Sequence, residues 1–557
     1  MKKRRILIVG GVAGGASCAA RARRLSETAE IIMFDRGEYV SFANCGLPYY
    51  VGNVIKKEEN LLVATPELFR ERFEIEVRLH SEVLAIDREN RRIRVKDCKT
   101  GRTYQEPYDT LVLSPGANPI KPSMPGIDLP GIFSLRTIPD SRQIKSRIAE
   151  LNATRAVVVG GGYIGMEMTE NLLNLGLAVT IVEMQPHVMP LIDPEMVTPI
   201  HEELVKHGVE LCLNETVVGF ERNGDHSISV KLSSDREKEA DLVILSIGVR
   251  PETKLAQDAG LEIGQRGGIR VDERMRTSDE NIWAVGDAVE VKDVVTGRWG
   301  VIPLAGPANR QGRIAADVIM GRDVVFRGVQ GTSVVGILGL VAAFTGPSEK
   351  TLRHMGLWNH SAQFEKIYLH PGHHAGYYPG ASPISLKLIF NKEDGRIISA
   401  QAVGKEGVEK RIDVISMAIQ KKATVFDLEE AELCYAPQFG SAKDPVNIAG
   451  MIAANVVRGD AHISHWEELG KKKIFMLDVR DPPEYKKGHV DRAVNIPLND
   501  LRQRMAEVPK DQEIWAYCFV GQRSYYAVRA LSQNGYDIKN LSGGYKTFTL
   551  KTGSDSD

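Results

Sequence analysis

Two of the six cysteines stand where sulfur chemistry could take place. Cys45 follows the polar residues Ser41 and Asn44, and Cys518 begins a segment that ends at Arg523. The thiolate is the reactive form of cysteine, and an unperturbed thiol is mostly protonated near pH 7. We expect a helix N-terminus and the polar neighbours of Cys45 to increase its thiolate fraction. The other thiols lack the spacings of disulfide or zinc sites, so we expect no metal and assign a structural role to Cys18, Cys98, Cys212 and Cys434.

Residues 518–523 have the form of an anion-binding loop. A predicted strand, residues 514–517, ends at Cys518, so the next backbone N–H groups can turn towards the sulfur and Arg523 can close the ring. Such a nest stabilises a thiolate and its persulfide anion. A loop one residue longer would suit a tetrahedral phosphate. The four residues between Cys518 and Arg523 therefore favour sulfur.

Two glycine-rich loops, residues 10–15 and 160–165, each follow an apolar strand and precede a helix. Backbone N–H groups of such a loop bind a pyrophosphate, and an acid about 20 residues further on binds the ribose hydroxyls. Asp35 and Glu183 occupy these acidic positions. The first loop has Val12 at its middle glycine position, whereas the second loop is complete. Together the two loops predict two dinucleotide sites.

The residues around these loops indicate which dinucleotides are bound. The Glu183 carboxylate would repel a 2′-phosphate, and residues 184–187 contain no Arg or Lys, which favours NADH over NADPH. Residues 281–287 predict a strand that ends in Gly286 and Asp287, where Asp287 can accept hydrogen bonds from the ribityl hydroxyls of a flavin. Two dinucleotide sites and two sulfur sites indicate electron transfer from a nicotinamide, through a flavin, to a sulfur substrate.

Residues 1–450 resemble the flavin disulfide reductase family, in its single-cysteine branch with coenzyme A-disulfide reductases and NADH oxidases. The segments that carry the resemblance are residues 10–15, 41–45, 114–116, 160–165, 284–287 and 303–313. Two-cysteine members have a partner cysteine where this chain has Val40. The resemblance therefore implies that Cys45 lies beside the flavin ring and is oxidised as a mixed disulfide with a small thiol, a persulfide or a sulfenic acid.

The cofactors expected from the motifs and the resemblance are FAD and NADH. The residues expected to bind them are Gly10, Val12, Ala13, Gly15, Asp35, Arg36, Ser41, Asn44, Ser114, Pro115, Gly116, Gly160, Gly162, Tyr163, Ile164, Gly165, Glu183, Gly248, Asp287, Pro303, Leu304 and Ala305.

Coenzyme A, as a substrate or a bound shuttle, carries phosphates, so its site should be basic. The expected phosphate ligands are Arg21, Arg24, Lys57 and Arg72. The resemblance adds two tyrosines contributed across a homodimer, Tyr377 and Tyr435, with Tyr378 as an alternative for the first. A phenol there could protonate or hydrogen-bond the leaving thiolate.

Residues 462–550 resemble a rhodanese domain. The matching segments are residues 477–480, 484–485, 488–490, 495–497, 518–524 and 541–545. Our interpretation is that Cys518 takes up or hands over sulfane sulfur, and that coenzyme A carries it to Cys45.

The bulk composition excludes several classes of partner. Lys and Arg number 71 against 72 Asp and Glu, which is unlike the basic field of a nucleic-acid-binding protein. Residues 1–18 superficially resemble a signal peptide, but they also fit a strand, a glycine turn and a helix start. The longest other apolar run, residues 334–344, is shorter than the ~18 residues of a membrane span. Few, unpaired cysteines in a large chain indicate the cytoplasm.

The 557 residues suggest roughly three or four domains. We expect an α/β fold with two Rossmann-like FAD- and NAD-binding domains, an α+β dimerisation domain and a C-terminal rhodanese-like α/β domain. The predicted boundaries are 1–150 with 277–325 for the FAD domain, 151–276 for the NAD domain, 326–450 for the dimerisation domain and 462–550 for the rhodanese domain.

The combined pattern predicts an NADH-dependent flavoenzyme that reduces coenzyme A disulfide, coenzyme A persulfide or polysulfide at Cys45 and releases sulfide. One alternative is an NADH oxidase or peroxidase in which Cys45 cycles through a sulfenic acid. Another is a sulfurtransferase with flavin domains as a scaffold. The rhodanese segment disfavours the first alternative, and the complete flavin machinery disfavours the second.

Overall fold

The computed structural model describes residues 4–224, 226–358 and 363–553. Residues 1–3 of the segment considered above as a possible signal peptide lie outside this range. In the described part of the chain, the helices α1 to α15 are Ala13–Leu25, Leu47–Val51, Pro66–Phe73, Ile138–Leu151, Tyr163–Asn174, Pro194–Lys206, Lys254–Asp258, Ala305–Ile319, Glu349–His354, Val408–Gln420, Val425–Glu429, Pro445–Val457, Pro482–Lys487, Gln522–Ser532 and Gly544–Thr552.

The strands alternate with these helices in both halves of the chain. Over the same residues, strands β1 to β31 are Arg5–Val9, Glu30–Phe34, Glu76–Arg78, Ser81–Asp87, Arg92–Asp97, Thr103–Pro107, Thr110–Leu113, Ala117–Pro119, Ile132–Phe133, Arg155–Val159, Ala178–Glu183, Glu210–Leu213, Val217–Asn223, Ser227–Leu232, Glu237–Ala240, Leu242–Leu245, Val249–Pro251, Ile269–Arg270, Ile282–Ala284, Val289–Lys292, Trp299–Gly300, Ser333–Ile337, Leu340–Thr345, Phe364–Leu369, Ile384–Asn391, Ile397–Gly404, Ile463–Ser464, Phe475–Asp478, Val494–Asn495, Ile514–Tyr517 and Ile538–Leu541.

The chain packs as two compact units. The first comprises Met1–Pro186 and Gly208–Gly331, and the second comprises His187–His207 and Thr332–Asp557. Helix α6, which lies inside the predicted NAD domain by sequence, therefore packs with the second unit. None of the described helices is long and apolar enough to cross a membrane.

Two parallel five-stranded sheets form the centre of the first unit, in the orders β19-β7-β1-β2-β3 and β12-β11-β10-β16-β9. Residues Ile6, Leu7 and Ile8 of β1 have no exposed surface, as expected for an apolar strand covered on both faces. Val9, the last residue of β1, pairs with β2 on one side and β7 on the other. The loop after β1 therefore starts between two diverging connections, the position at which parallel sheets bind nucleotides. Strand β10 repeats this arrangement between β11 and β16.

The second unit contains an antiparallel sheet, β22-β23-β26-β25-β24, and a parallel sheet, β27-β31-β30-β28-β29. Every residue of β25 and β26 is buried, so the antiparallel sheet is covered on both faces. Helix α10 packs on β23 and β26, and α6 packs on β26 and α15. The predicted α+β and rhodanese-like architectures are therefore both present.

A buried charge cluster lies inside the second unit. The Lys387 ammonium donates to Asp193 at 2.7 Å, to Glu195 at 2.8 Å and to Glu349 at 2.8 Å. The Lys366 ammonium donates to both oxygens of Glu349, at 2.9 and 2.8 Å. All five residues are buried. The cluster therefore joins the α6 segment to the antiparallel sheet and to α9.

The rhodanese-like segment is attached to the edge strand β24 of the antiparallel sheet. The Tyr368 backbone N–H donates to the Ser542 hydroxyl at 3.0 Å, and His370 Nε2 lies 2.9 Å from the Thr547 hydroxyl. A Cβ at Gly543 would lie 2.6 Å from the Cβ of Tyr368, so only glycine permits this approach. The segment around Ser542 is thereby held on one side by the antiparallel sheet.

Candidate functional site

The first glycine loop is closed by backbone contacts that exclude side chains. A Cβ at Gly10 would lie 2.0 Å from the Ser114 carbonyl oxygen, and one at Gly15 would lie 1.9 Å from the Gly10 carbonyl oxygen. Helix α1 therefore starts directly over the end of β1, after Val12 and with Ala13 as its first residue. The Asp35 carboxylate accepts the Gly11 N–H at 3.1 Å, and its burial raises the pKa of Asp35. This is the geometry expected of the first dinucleotide loop.

The second loop repeats this geometry and leaves its outer side open. A Cβ at Gly165 would lie 2.0 Å from the Gly160 carbonyl oxygen, whereas one at Gly162 would meet nothing within 4 Å. Helix α5 begins at Tyr163 and Ile164, immediately after the loop. Glu183 is buried, and its two oxygens accept the backbone N–H groups of Gly161 at 2.7 Å and Gln185 at 2.8 Å. The open space at Gly162 fits a pyrophosphate, and Glu183 lies where a ribose would be bound.

The remaining predicted cofactor residues follow the ends of neighbouring elements. Ser114, Pro115 and Gly116 follow β7, and Gly248 has a φ of 110° between β16 and β17. Pro303 and Leu304 precede α8, which starts at Ala305. Helix α8 packs tightly on α1, where a Cβ at Gly312 would lie 2.2 Å from the Gly14 carbonyl oxygen. Arg36 pairs with Glu252 at 3.4 Å.

Asp287 and Arg136 are two desolvated charged groups that interact with each other. Burial raises the pKa of Asp287, and the positive charge of Arg136 opposes that rise. The Arg136 guanidinium donates to the Pro115 carbonyl at 3.2 Å and to the Asn118 side chain. Its burial lowers the pKa of Arg136. A desolvated acid and a desolvated cation in one site fit bound FAD, and sequence reasoning missed Arg136 because it precedes a helix outside any glycine loop.

Cys45 lies in the 3₁₀ turn Asn44–Gly46, directly before α2. The side chain is exposed. Contrary to our expectation, the surrounding protein raises the pKa of the Cys45 thiol, first by desolvation and then through the negative charges of Glu167 and Asp287. The Asn44 side chain donates to the Arg136 carbonyl oxygen at 3.1 Å instead of stabilising the thiolate. The polypeptide alone therefore disfavours the thiolate at this position.

Glu167 and Tyr49 form a second polar pair that the sequence did not reveal. The Tyr49 hydroxyl donates to the Glu167 carboxylate at 3.3 Å, across the packed helices α2 and α5. Desolvation, with a smaller contribution from Glu170, raises the pKa of Glu167 to about 7. Desolvation and the charge of Glu167 raise the pKa of Tyr49 to about 12. A carboxyl group that titrates near neutral pH therefore acts electrostatically on Cys45.

The predicted phosphate ligands differ in their availability. Arg21 forms an ion pair with Asp317 at 2.8 Å, so its guanidinium is already engaged within the protein. The residues that remain exposed are Arg24, Lys57 and Arg72. Ser17 of α1 hydrogen-bonds Asn309 of α8. We had not selected these two polar residues from the sequence.

The two selected tyrosines are in contact. The hydroxyls of Tyr377 and Tyr435 lie 2.6 Å apart, and Tyr377 is 75% exposed. This hydrogen bond raises the pKa of Tyr377. Tyr378 instead packs edge-on against His374, with ring centroids 5.5 Å apart. The geometry therefore favours Tyr377 over Tyr378 as the partner of Tyr435.

Cys518 is buried at the end of β30 and receives hydrogen bonds from its own loop. The Gly521 N–H donates to its Sγ at 3.1 Å, and the Ser524 hydroxyl lies 3.5 Å away. The Arg523 guanidinium, which we expected to close the ring, instead donates to both oxygens of Glu484, at 2.6 and 2.7 Å. One backbone N–H of the predicted nest therefore reaches the sulfur, and the loop arginine is paired with a carboxylate.

The fold and the site define the class of protein. Residues 4–312 match the model of the pyridine nucleotide-disulphide oxidoreductases, and residues 333–444 match the dimerisation domain of that family. The chain belongs to this family and is an FAD- and NAD(H)-dependent oxidoreductase. Residues 464–551 match the rhodanese-like domain. The predicted family, fold class and cofactors are confirmed.

Individual relatives cover between about four-fifths and nearly all of the chain. Coenzyme A disulfide reductase of Staphylococcus haemolyticus (strain JCSC1435) is 35% identical over 81% of this chain and 100% of its own length. The reduced CoADR-RHD of Bacillus anthracis is 48% identical, with a TM-score of 0.96 over 99% of this chain and 98% of that one. The NAD-dependent persulfide reductase of A. fulgidus is 35% identical, with a TM-score of 0.90 over 98% of this chain and 100% of that one.

Proposed function

We propose that the protein uses NADH to reduce coenzyme A disulfide, coenzyme A persulfide or polysulfide, with Cys45 as the nucleophile. The observation that carries the proposal is a free, exposed thiol at the head of α2, beside the site that fits FAD. FAD, when bound, would supply two-electron transfer from the nicotinamide to sulfur. The similarity to a coenzyme A disulfide reductase and to a persulfide reductase supports the same substrates here.

The sulfur chemistry at Cys45 balances without a second protein thiol. The Cys45 thiolate attacks a disulfide, a new S–S bond forms, and the first thiol leaves with the electron pair of the broken bond. Two electrons from NADH then cleave the mixed disulfide, and one proton from solvent balances the release of the second thiol. With a persulfide or polysulfide acceptor, the released product is sulfide. Exposed Arg24, Lys57 and Arg72 are proposed to bind the coenzyme A phosphates.

The tyrosine pair, the dimer and the location complete the proposal. We assign Tyr377 and Tyr435 to the leaving thiolate in a homodimer, because a hydrogen-bonded phenol pair can donate a proton. The match to a dimerisation domain supports two copies. The cysteines are free thiols, which fits a reducing compartment such as the cytoplasm. The position of Glu183 supports NADH as the donor.

Steady-state NADH oxidation with the three acceptors in parallel, with sulfide measured, tests this proposal. Cys45→Ser should abolish turnover with every sulfur acceptor and retain FAD. Cys98→Ser is the matched control, because Cys98 is also an exposed free thiol, and it should behave as the unaltered enzyme. Full turnover by Cys45→Ser would refute the proposal. Oxygen-dependent NADH oxidation that exceeds the rate with sulfur acceptors would favour the oxidase alternative.

The buried Cys518 nest supports a second step, in which sulfane sulfur moves between Cys518 and Cys45 on coenzyme A. Cys518→Ser should lower sulfide production from external sulfane donors and leave coenzyme A disulfide reduction intact. Full sulfide production by Cys518→Ser would refute the shuttle and spare the core reaction. Sulfur transfer independent of NADH and Cys45 would instead favour the sulfurtransferase alternative.

A further inference from the structure

Two arginines lie near Cys518, and each of them is paired with a carboxylate. Arg523 interacts electrostatically with Cys518, yet both oxygens of Glu484 bind its guanidinium. This hydrogen bond lowers the pKa of Glu484, so the carboxylate is charged at neutral pH. Arg480, whose guanidinium lies 5.4 Å over the Tyr517 ring, is likewise held by two oxygens of buried Asp478. The hydrogen bonds that reach the Cys518 sulfur therefore come from uncharged groups, the Gly521 N–H and the Ser524 hydroxyl.

The loop and the start of α14 carry exposed aromatic and amide side chains. Phe519 is 39% exposed, Tyr526 of α14 is exposed, and Gln522 donates to the Tyr526 hydroxyl at 3.1 Å. A site whose loop arginine is already paired suits a neutral thiol arm, because a compact dianion would lose its hydration without gaining the unpaired charge of Arg523.

We propose that the Arg523–Glu484 pair sets the donor class of the Cys518 site, so that it takes sulfur from persulfides on neutral thiol arms and discriminates against thiosulfate. This inference rests on the proposed function, in which the donor is a coenzyme A persulfide. In either reaction the Cys518 thiolate attacks the sulfane sulfur and becomes a persulfide. The group that leaves with the electron pair is a thiolate from a persulfide and sulfite from thiosulfate.

The test variant is Glu484→Gln, which removes the charge and keeps the helix cap. Glu484 is the N3 residue of a capping box with Asp481 at the start of α13, and glutamine serves in that position as well as glutamate. The matched control is Glu507→Gln, which removes an exposed carboxylate paired with Arg504 at 2.7 Å in the same domain. Both changes alter the net charge equally. Only the first removes the carboxylate that binds Arg523 most closely, and it leaves the longer Asp481 contact, at 3.5 Å, in place.

The measurement is the rate at which Cys518 of the whole enzyme becomes persulfidated, followed by mass spectrometry of its peptide. The donors are thiosulfate and N-acetylcysteamine persulfide, whose neutral arm resembles the end of coenzyme A. The unaltered protein should react faster with the organic persulfide. Releasing one guanidinium near a dianion should raise the relative rate with thiosulfate about tenfold in Glu484→Gln and leave it unchanged in Glu507→Gln.

The outcomes separate this inference from the proposed function. A thiosulfate preference in the unaltered protein, which needs no variant, would overturn the inference. So would a donor ratio in Glu484→Gln that matches Glu507→Gln while both variants retain NADH-dependent turnover. Persulfidation needs neither NADH nor Cys45, so loss of coenzyme A disulfide reduction would count against the proposed function and not against the donor preference.

Discussion

Replacing Lys387 by methionine should destabilise the second unit by about 3–5 kcal/mol, because it removes the one ammonium shared by three buried carboxylates. The three hydrogen bonds have lengths of 2.7, 2.8 and 2.8 Å. Methionine keeps an unbranched apolar side chain in the same space, so the change removes mainly charge. In the variant, the cations that still contact the cluster are Lys366 and Arg353, and both contact Glu349.

The magnitude follows from the contacts and from proton uptake. Hydrogen bonds to charged groups contribute about 1.5–3 kcal/mol each, so three of them set an upper range of about 4.5–9 kcal/mol. The carboxylates that lose Lys387 can bind protons, which reduces this loss of free energy. The remaining loss is about 3–5 kcal/mol, which is typical of a broken buried ion pair. For a unit of about 150–250 residues, 1 kcal/mol lowers Tm by about 2–4 °C, so the expected decrease is about 6–20 °C.

The loss of stability in Lys387→Met should become larger as the pH rises. Burial acts to raise the pKa of Glu195, but the attraction of Lys387 outweighs it and lowers this pKa to about 2. In the unaltered protein this group contributes stability above its unfolded pKa of about 4.5, and that stability is lost as the pH falls towards 2. Without Lys387, burial raises the pKa above its unfolded value, and ionisation then opposes folding. The two proteins should therefore differ less at pH 5 than at pH 8.

Thermal unfolding of the full-length holoenzyme, followed by circular dichroism at both pH values, measures this effect. Lys392→Met is the control, because Lys392 is 43% exposed and lies 3.6 Å from Glu365. An exposed pair contributes about 0–1 kcal/mol, so this variant should melt close to the unaltered protein. A Lys387→Met transition that coincides with that of the control, or a deficit independent of pH, would refute the reasoning.

Three other perturbations address the cofactor and thiol sites. Gly15→Ala should abolish FAD retention, because the new Cβ would lie 1.9 Å from the Gly10 carbonyl oxygen; normal flavin content after purification would contradict this. Glu167→Gln should speed alkylation of Cys45 by iodoacetamide a few-fold above pH 7, where the ionised carboxylate would otherwise raise the pKa of the thiol, and should have little effect at pH 6. If the ratio of the variant's alkylation rate to that of the unaltered protein is the same at both pH values, this coupling is excluded. Tyr435→Phe should lower kcat with coenzyme A disulfide and leave FAD content unchanged, and an unaltered kcat would remove the phenol pair from the mechanism.

The glycine loops were predictable because their constraints are local. At Gly10 and Gly165 a backbone oxygen lies 2.0 Å from where a Cβ would be, so no side chain fits. This constraint appears in the sequence as a glycine at each position. The acids Asp35 and Glu183 were found for a related reason, since a βαβ unit of ordinary length brings the end of its second strand beside the loop. Strands β1 and β10 and helices α1 and α5 followed from the same pattern.

The groups that set the charge around the sulfur atoms were not predictable in this way. Glu167 lies far from Cys45 in sequence and acts on it only because α5 packs against α2. Glu484 reaches Arg523 across two elements of the rhodanese-like segment. Our expectation for Cys45 was wrong for this reason. That expectation considered only the helix that follows the thiol, whereas desolvation by the surrounding protein and carboxylates from distant segments raise the pKa of Cys45.

Trapping the oxidised form of Cys45 tests the central claim most directly. The purified holoenzyme is incubated with coenzyme A disulfide, its cysteine peptides are identified by mass spectrometry, and NADH is then added without oxygen. The account predicts a coenzyme A mixed disulfide on Cys45, with its removal by NADH and release of coenzyme A. Absence of an adduct at Cys45 during turnover, or an adduct that NADH leaves in place, would contradict it.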